Sequence, residues 1–181
     1  NVFLTLALFP DDSRLVAGAA DGTIDVWRLQ TGERELQLKD VGRVQACQVS
    51  PDGAYLASAS DDRTIRIWGL DSGEVRYVLS GHDEAVVSCV FGGKGRLFTV
   101  ADDATLRMWD WQRERLLSTL SSTSDYTCVR VAGTHVVVGD VLGAVLWFDV
   151  AKSTDEDPSE LEAAGDPHEP LRVRAAQVSQ A

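Results

Sequence analysis

Ser58-Ala59-Ser60-Asp61-Asp62-Arg63-Thr64-Ile65-Arg66-Ile67-Trp68 returns 41 residues later as Thr99-Val100-Ala101-Asp102-Asp103-Ala104-Thr105-Leu106-Arg107-Met108-Trp109. A self-match at such a period marks an architecture in which one supersecondary unit is copied and stacked. The same step back from Trp68 lands on Trp27, inside Asp21-Gly22-Thr23-Ile24-Asp25-Val26-Trp27. Three copies therefore share one register.

Within each copy, short apolar runs alternate with turn residues, the pattern of strands joined by tight hairpins. The first unit, near 1–40, reads as strands over 2–9, 15–19, 23–29 and 33–38. In the last of these Leu36 and Leu38 alternate with polar neighbours, as a half-exposed outer strand does. The second unit, 41–81, repeats the order over 44–50, 55–59, 65–70 and 74–80, with Pro51-Asp52-Gly53 as its first turn. The third, 82–121, runs 86–91, 97–100, 106–111 and 115–120, with Gly92-Gly93-Lys94-Gly95 replacing that turn. The fourth, 122–150, has drifted: strands over 126–131 and 135–139 precede a run ending in Trp147-Phe148-Asp149, where Phe148 takes the repeat tryptophan position and Gly143 matches Gly22. The expected fold class is all-β, about four units of four antiparallel strands.

After 150 the composition shifts. Residues 151–170 read as an acidic loop or insertion, because Lys152-Ser153-Thr154-Asp155-Glu156-Asp157-Pro158-Ser159-Glu160 cannot bury apolar surface, with a weak outer strand near 160–164. Arg172-Val173-Arg174-Ala175-Ala176-Gln177-Val178-Ser179 matches Arg43-Val44-Gln45-Ala46-Cys47-Gln48-Val49-Ser50 at six of eight positions. Residues 171–181 thus read either as the first strand of a further unit or as a tail.

Composition narrows the function classes. Across 181 residues, Lys+Arg 17 against Asp+Glu 28 leaves a net charge of −11. Nonspecific binding of a phosphate backbone needs clustered positive charge, so no direct DNA binding is expected and a basic protein surface is the better-matched partner. Cys47, Cys89 and Cys128 form no C-x-x-C pair and lie about one repeat apart, which signals neither a zinc site nor a disulfide framework. A reducing compartment, cytoplasm or nucleus, is expected. There is no run of 18 apolar residues, so no membrane-spanning helix is predicted.

A four-stranded unit of about 40 residues whose third strand ends in Trp-Asp resembles the WD40 repeat, the blade of a β-propeller. Trp109-Asp110 is the literal signature pair here, with Trp27-Arg28, Trp68-Gly69 and Phe148-Asp149 as its counterparts, and Gly81-His82 is the clear Gly-His. The resemblance implies a polar relay in the third unit made of Trp109, Thr99, His82 and Asp103. A buried indole N–H can only donate; a hydroxyl can accept from it and donate onward to one histidine nitrogen, while the other nitrogen donates to an aspartate. The second unit keeps Trp68, Ser58, Ser60 and Asp62 but has no histidine, so its indole is expected to rely on serine alone.

His82, Asp103 and Thr99 have the composition of a nucleophile, base and orienter, yet the relay would bury the hydroxyl between Trp109 and His82 with no pocket for a substrate. No catalytic residue, cofactor or metal is assigned. Gly92-Gly93-Lys94 lacks the first glycine of a phosphate loop and is followed by a strand. Asp61-Asp62 and Asp102-Asp103 fit turn caps better than calcium ligands. Cys47 and Cys89 fit core positions, and Trp111 and Trp147, outside the repeat tryptophan column, would be partner anchors if exposed.

In propellers of this family, the turns between second and third strands and the loops between blades gather on one face. That face is expected to bind the partner, through Asp40, Arg43, Asp61, Asp83, Glu84, Asp102, Asp125, Tyr126 and Asp140, an acidic set suited to a Lys- or Arg-rich peptide. The expected function is a non-catalytic scaffold or adaptor. The alternative is the sensor array of a large multidomain signalling NTPase, because 138–145 resembles late blades of apoptosome and NACHT-type receptors; a phosphate-binding loop elsewhere in the gene would separate the two. Four units fall short of a seven-bladed ring, so the chain reads as a segment of a seven-bladed or longer array whose neighbouring blades lie outside it, with a closed four-bladed ring as the alternative.

Overall fold

The computed structural model describes residues 1–149 together with Arg172–Val173. The described residues form four antiparallel sheets of four strands. The first is β1 (Phe3–Leu8), β2 (Arg14–Ala19), β3 (Thr23–Arg28) and β4 (Arg34–Lys39); the second is β5 (Val44–Val49), β6 (Tyr55–Ser60), β7 (Thr64–Gly69) and β8 (Glu74–Ser80). The third is β9 (Val86–Phe91), β10 (Arg96–Ala101), β11 (Thr105–Asp110) and β12 (Arg115–Ser121). The fourth is β13 (Tyr126–Ala132), β14 (His135–Asp140), β15 (Val145–Asp149) and β16 (Arg172–Val173). Each sheet pairs its strands in chain order, a meander that turns of two to five residues enforce at every connection except that from β15 to β16, which residues 150–171 separate.

The outer strand of the fourth sheet is Arg172–Val173, paired with Asp149 and Phe148. The outer strand expected near 160–164 and the remainder of 171–181 lie outside the described residues.

Stacking follows from each sheet being apolar on both faces. The inner strands pack in the order β1 on β5, β5 on β9 and β9 on β13. Val16, Ile24, Val26 and Leu38 of the first sheet meet Val44, Cys47, Val49, Leu56 and Trp68 of the second. Ala57, Ile65, Ile67 and Leu79 then meet Val86, Cys89, Phe91, Leu97 and Trp109 of the third, whose other face places Val90, Phe98, Val100 and Leu106 against Tyr126, Val129, Val136, Val138 and Phe148. Cys47 and Cys89 are core residues, as expected, and burial pushes the Cys89 thiol up to about 12. The four inner strands line a central cavity of about 320 Å³ bordered by Thr5, Gln45, Cys47, Ser88, Thr127 and Arg130.

Trp111 is not exposed, so it does not meet the condition set for a partner anchor. Asp110 caps a single 3-10 turn over Trp111–Arg113, accepting from the Arg113 N–H, so the chain leaves the strand one residue early. Trp111 swings into the interface between the second and third sheets and meets the rings of Tyr55, Tyr77 and Phe91 edge-on at 5.0, 5.6 and 5.6 Å. It is 6% exposed and cannot anchor a partner; Trp147 is half-buried.

Candidate functional site

The turn between the second and third strands of every sheet is tied by a backbone hydrogen bond to the segment that enters the inner strand. Ala20 N–H donates to Val2, Asp61 to Arg43, Asp102 to Ala85 and Val141 to Asp125, at 2.8–3.1 Å. These four ties gather turns and inter-sheet loops on one face. Gly22 is needed there: its φ is +86°, and a Cβ would sit 2.6 Å from the Asp40 carbonyl oxygen and 2.8 Å from that of Gly42.

Beneath this face the third sheet carries the relay that the resemblance implied. Trp109 Nε1 donates to Thr99 Oγ1 at 2.9 Å; His82 Nε2 lies 2.7 Å from the same oxygen, and His82 Nδ1 lies 2.8 Å from Asp103 Oδ2. With the proton on Nδ1 every polar atom is satisfied. Asp103 also accepts from the backbone of Asp83 and, through Oδ1, from the backbone and hydroxyl of Thr105. Burial raises the Asp103 carboxyl, but the hydrogen bonds from Thr105 and His82 outweigh it and the net shift is downward. Burial holds His82 below its ordinary value against the pull of Asp103, so the ring is neutral at pH 7. Thr99 is fully buried, leaving no room for a substrate at its hydroxyl.

The second sheet builds the same pin with different chemistry, and here the sequence reading is corrected. Trp68 Nε1 donates to Ser58 Oγ at 2.9 Å, and that hydroxyl donates on to Asp40 Oδ2 at 2.6 Å. Asp40 lies four residues before the first inner-strand core residue, Val44, as His82 lies four before Val86. The carboxylate replaces the imidazole, and its charge is met by Arg66, whose Nη1 is 2.5 Å from Asp40 Oδ1 and 2.8 Å from Asp62 Oδ2. Burial pushes the Asp40 carboxyl up, with Ser58 and Arg66 opposing it. The indole donates to serine, as expected, but the serine is itself backed by Asp40, which the sequence reading placed on the docking face. Counting from the inner strand rather than from the tryptophan would have found the substitution.

Two residues leave the expected docking face on this account. The Asp40 side chain is wholly buried in its ion pair. Tyr126 is 2% exposed, because it opens β13 at the core column that Val44 and Val86 occupy in β5 and β9. Arg43 and Asp61 remain on the face, linked by the Arg43 N–H donating to Asp61 Oδ1 at 2.8 Å. Asp140 is half-buried and caps its own turn, accepting from the Leu142 and Ala144 N–H groups and the Ser124 hydroxyl.

Asp83, Glu84, Asp102 and Asp125 stay exposed. The last three converge between the third and fourth sheets: burial, then the charges of Asp125, Glu84 and Asp103, raise the Asp102 carboxyl. The arrangement is a concentration of negative charge on a rim whose turns are tied by backbone hydrogen bonds.

Comparison with known proteins agrees with this geometry. The model of the WD domain, G-beta repeat, matches residues 3–28, 35–69 and 73–110. No curated protein matches the chain. Among solved structures, that of U3-55K superposes with a TM-score of 0.77 at 24% identity, over 82% of this chain and 49% of that one. The RRP9 WD40 repeats give 0.76 at 24% identity, over 81% and 48%, so the chain spans about half the length of both. The computationally designed Ika4 protein gives 0.74 at 27% identity, over 83% of this chain and 92% of that one. Repeats matched over more than half its length, four-stranded meander sheets and the buried Trp-Thr-His-Asp pin together make this chain a member of the WD40 repeat family, built as a β-propeller segment.

Proposed function

We propose that the chain is a non-catalytic docking module that binds a Lys- or Arg-rich segment of a protein partner on its turn-and-loop face. The carrying observation is that Glu84, Asp102 and Asp125, from separate loops, are all exposed on the face that the backbone ties of Asp102 to Ala85 and of Val141 to Asp125 bring together, with burial first and then the charges of Asp125 and Glu84 raising the Asp102 carboxyl. Charge clustered on a low-dielectric rim focuses the field and accelerates encounter with an oppositely charged partner. Membership of a family of interaction modules supports the reading, as does the commitment of His82, Thr99 and Asp103 to a structural pin. Three free cysteines, two of them buried, suit a reducing compartment, cytoplasm or nucleus.

The test is binding of a deca-lysine peptide to wild type and to the triple variant Glu84→Ser, Asp102→Ser, Asp125→Ser across a salt series. The reading expects affinity that falls as salt rises, and a loss of at least about tenfold with a flatter salt slope in the variant. Equal affinity and equal slope would refute it.

A further inference from the structure

The turn between the second and third strands keeps one backbone form in all four sheets. Gly22, Arg63, Ala104 and Gly143 occupy its left-handed position, with φ of +86, +72, +56 and +84°. In the first three sheets the residue before that position is an aspartate, whose Oδ1 accepts the N–H two residues on: Asp21 from Thr23, Asp62 from Thr64 and Asp103 from Thr105, at 2.9–3.0 Å. Such a side-chain bond closes a turn that the backbone alone leaves loose.

In the fourth sheet Leu142 stands there instead. Val145 pairs with Gly139 as Leu106 pairs with Val100, and Leu142 lies three residues before Val145 as Asp103 lies three before Leu106. Val141 likewise takes the place of Asp61 and Asp102, the residues whose N–H ties the turn to the neighbouring loop. The capping duty has moved to Asp140, whose Oδ1 accepts from the Leu142 N–H at 3.0 Å and the Ala144 N–H at 2.8 Å. The turn thus closes without the Val141 and Leu142 side chains, which are 59 and 75% exposed. One exposed apolar residue is ordinary; an adjacent pair, held on a tied turn where three sister turns carry aspartate, marks a contact surface.

Its neighbours indicate what it contacts. The Val141 N–H donates to the Asp125 carbonyl at 3.0 Å, so the apolar pair adjoins one of the three exposed acidic residues of the rim. A ligand lying on Leu142 is within reach of that negative charge, which disfavours acidic segments and anionic membrane surfaces and favours a cationic one. Resting on the docking function above, we propose that the partner's basic segment also carries an apolar side chain of about leucine size, which packs on Val141 and Leu142 while its neighbouring Lys or Arg side chains face Glu84, Asp102 and Asp125. The charges accelerate encounter and are screened by salt, whereas the apolar contact is not and slows release. The module therefore prefers a mixed basic and apolar segment to a plain polybasic one.

Calorimetric titration of the chain with two peptides of equal charge tests this, each a run of lysines interrupted at its centre by leucine in one and by serine in the other. Wild type is expected to bind the leucine peptide at least about fivefold more tightly, a ratio that persists as salt rises and both affinities fall. In the double variant Val141→Ser, Leu142→Ser the preference is expected to vanish while serine-peptide affinity stays at the wild-type value, which also shows that the variant folds. In the triple variant Glu84→Ser, Asp102→Ser, Asp125→Ser both peptides are expected to weaken. Equal binding of the two peptides to wild type, with salt dependence intact, overturns this inference and leaves the docking function standing. So does a leucine preference that survives in the double variant. Absence of binding by either peptide refutes both. Self-association of the chain that the double variant abolishes would assign the turn to a second copy, and overturns the inference as well.

Discussion

Asp40 and Ser58 stand 2.6 Å apart, the hydroxyl donating to the carboxylate, and this pair does in the second blade what His82 and Thr99 do in the third. Both give the hydroxyl that receives a tryptophan indole N–H a partner for its own proton. The imidazole is satisfied by Asp103, while the carboxylate carries a charge and so draws Arg66 inward. A single change of residue type at one register position thus alters the whole local network.

Removing Asp40 should be costly. Asp40→Ala takes one of two carboxylates from the Arg66 guanidinium, which keeps Asp62, and leaves the buried Ser58 proton without an acceptor. Leaving a buried polar group unsatisfied costs about 1–3 kcal/mol, to be read from urea unfolding at constant m-value. Asp40→His should cost less, because Asp62 stands in the second blade where Asp103 stands in the third.

Thr99→Val keeps the shape of the side chain but leaves both the Trp109 indole and His82 Nε2 unpaired in a fully buried site. A loss of about 1–3 kcal/mol is expected, with Thr99→Ser close to wild type. Equal stabilities for valine and serine would contradict the relay.

Acid should weaken the third blade first. Burial lowers His82 below its ordinary 6.5, so the unfolded chain takes up this proton before the folded one does. The stability this group contributes is complete above about pH 6.5 and is lost as pH falls through the lowered value. Melting temperatures from pH 8 to pH 5 should therefore decline more steeply for wild type than for His82→Gln. Asp40 acts with the opposite sign, since its raised carboxyl binds a proton more readily in the folded state, and Asp40→Asn isolates that contribution.

Trp111→Ala removes a side chain packed edge-on against three aromatic rings between two blades. About 3–5 kcal/mol should be lost, while lysine-peptide affinity of the folded protein stays unchanged. Weakened peptide binding with intact stability would return Trp111 to the docking surface.

Much of this is legible in the amino-acid sequence, for definable reasons. The 41-residue period and the turns at Asp21-Gly22, Pro51-Asp52-Gly53 and Asp71-Ser72-Gly73 punctuate strands clearly, because few residues adopt the backbone angles such turns need. The third-blade relay was legible because each member is a residue type with one role to play. Asp40 was misplaced because an aspartate in a loop ordinarily reads as solvated, and only its ion pair with Arg66 makes burial tolerable. Tyr126 was misplaced because an aromatic at a loop boundary can face either way until register assigns it to the column of Val44 and Val86. Trp111 packs in the same interface as Trp109, two residues earlier, the face that counting by twos from Trp109 assigns it, although Asp110 has already ended the strand.

The measurement closest to the centre of this account is titration of deca-lysine into the isotope-labelled chain, followed by the backbone amides and tryptophan indole N–H signals. Shifts are expected at Glu84, Asp102 and Asp125 while the indoles of Trp68 and Trp109 stay in place, protected by their relays. Shifts centred on those indoles and on His82, with the three acidic residues unmoved, would contradict it.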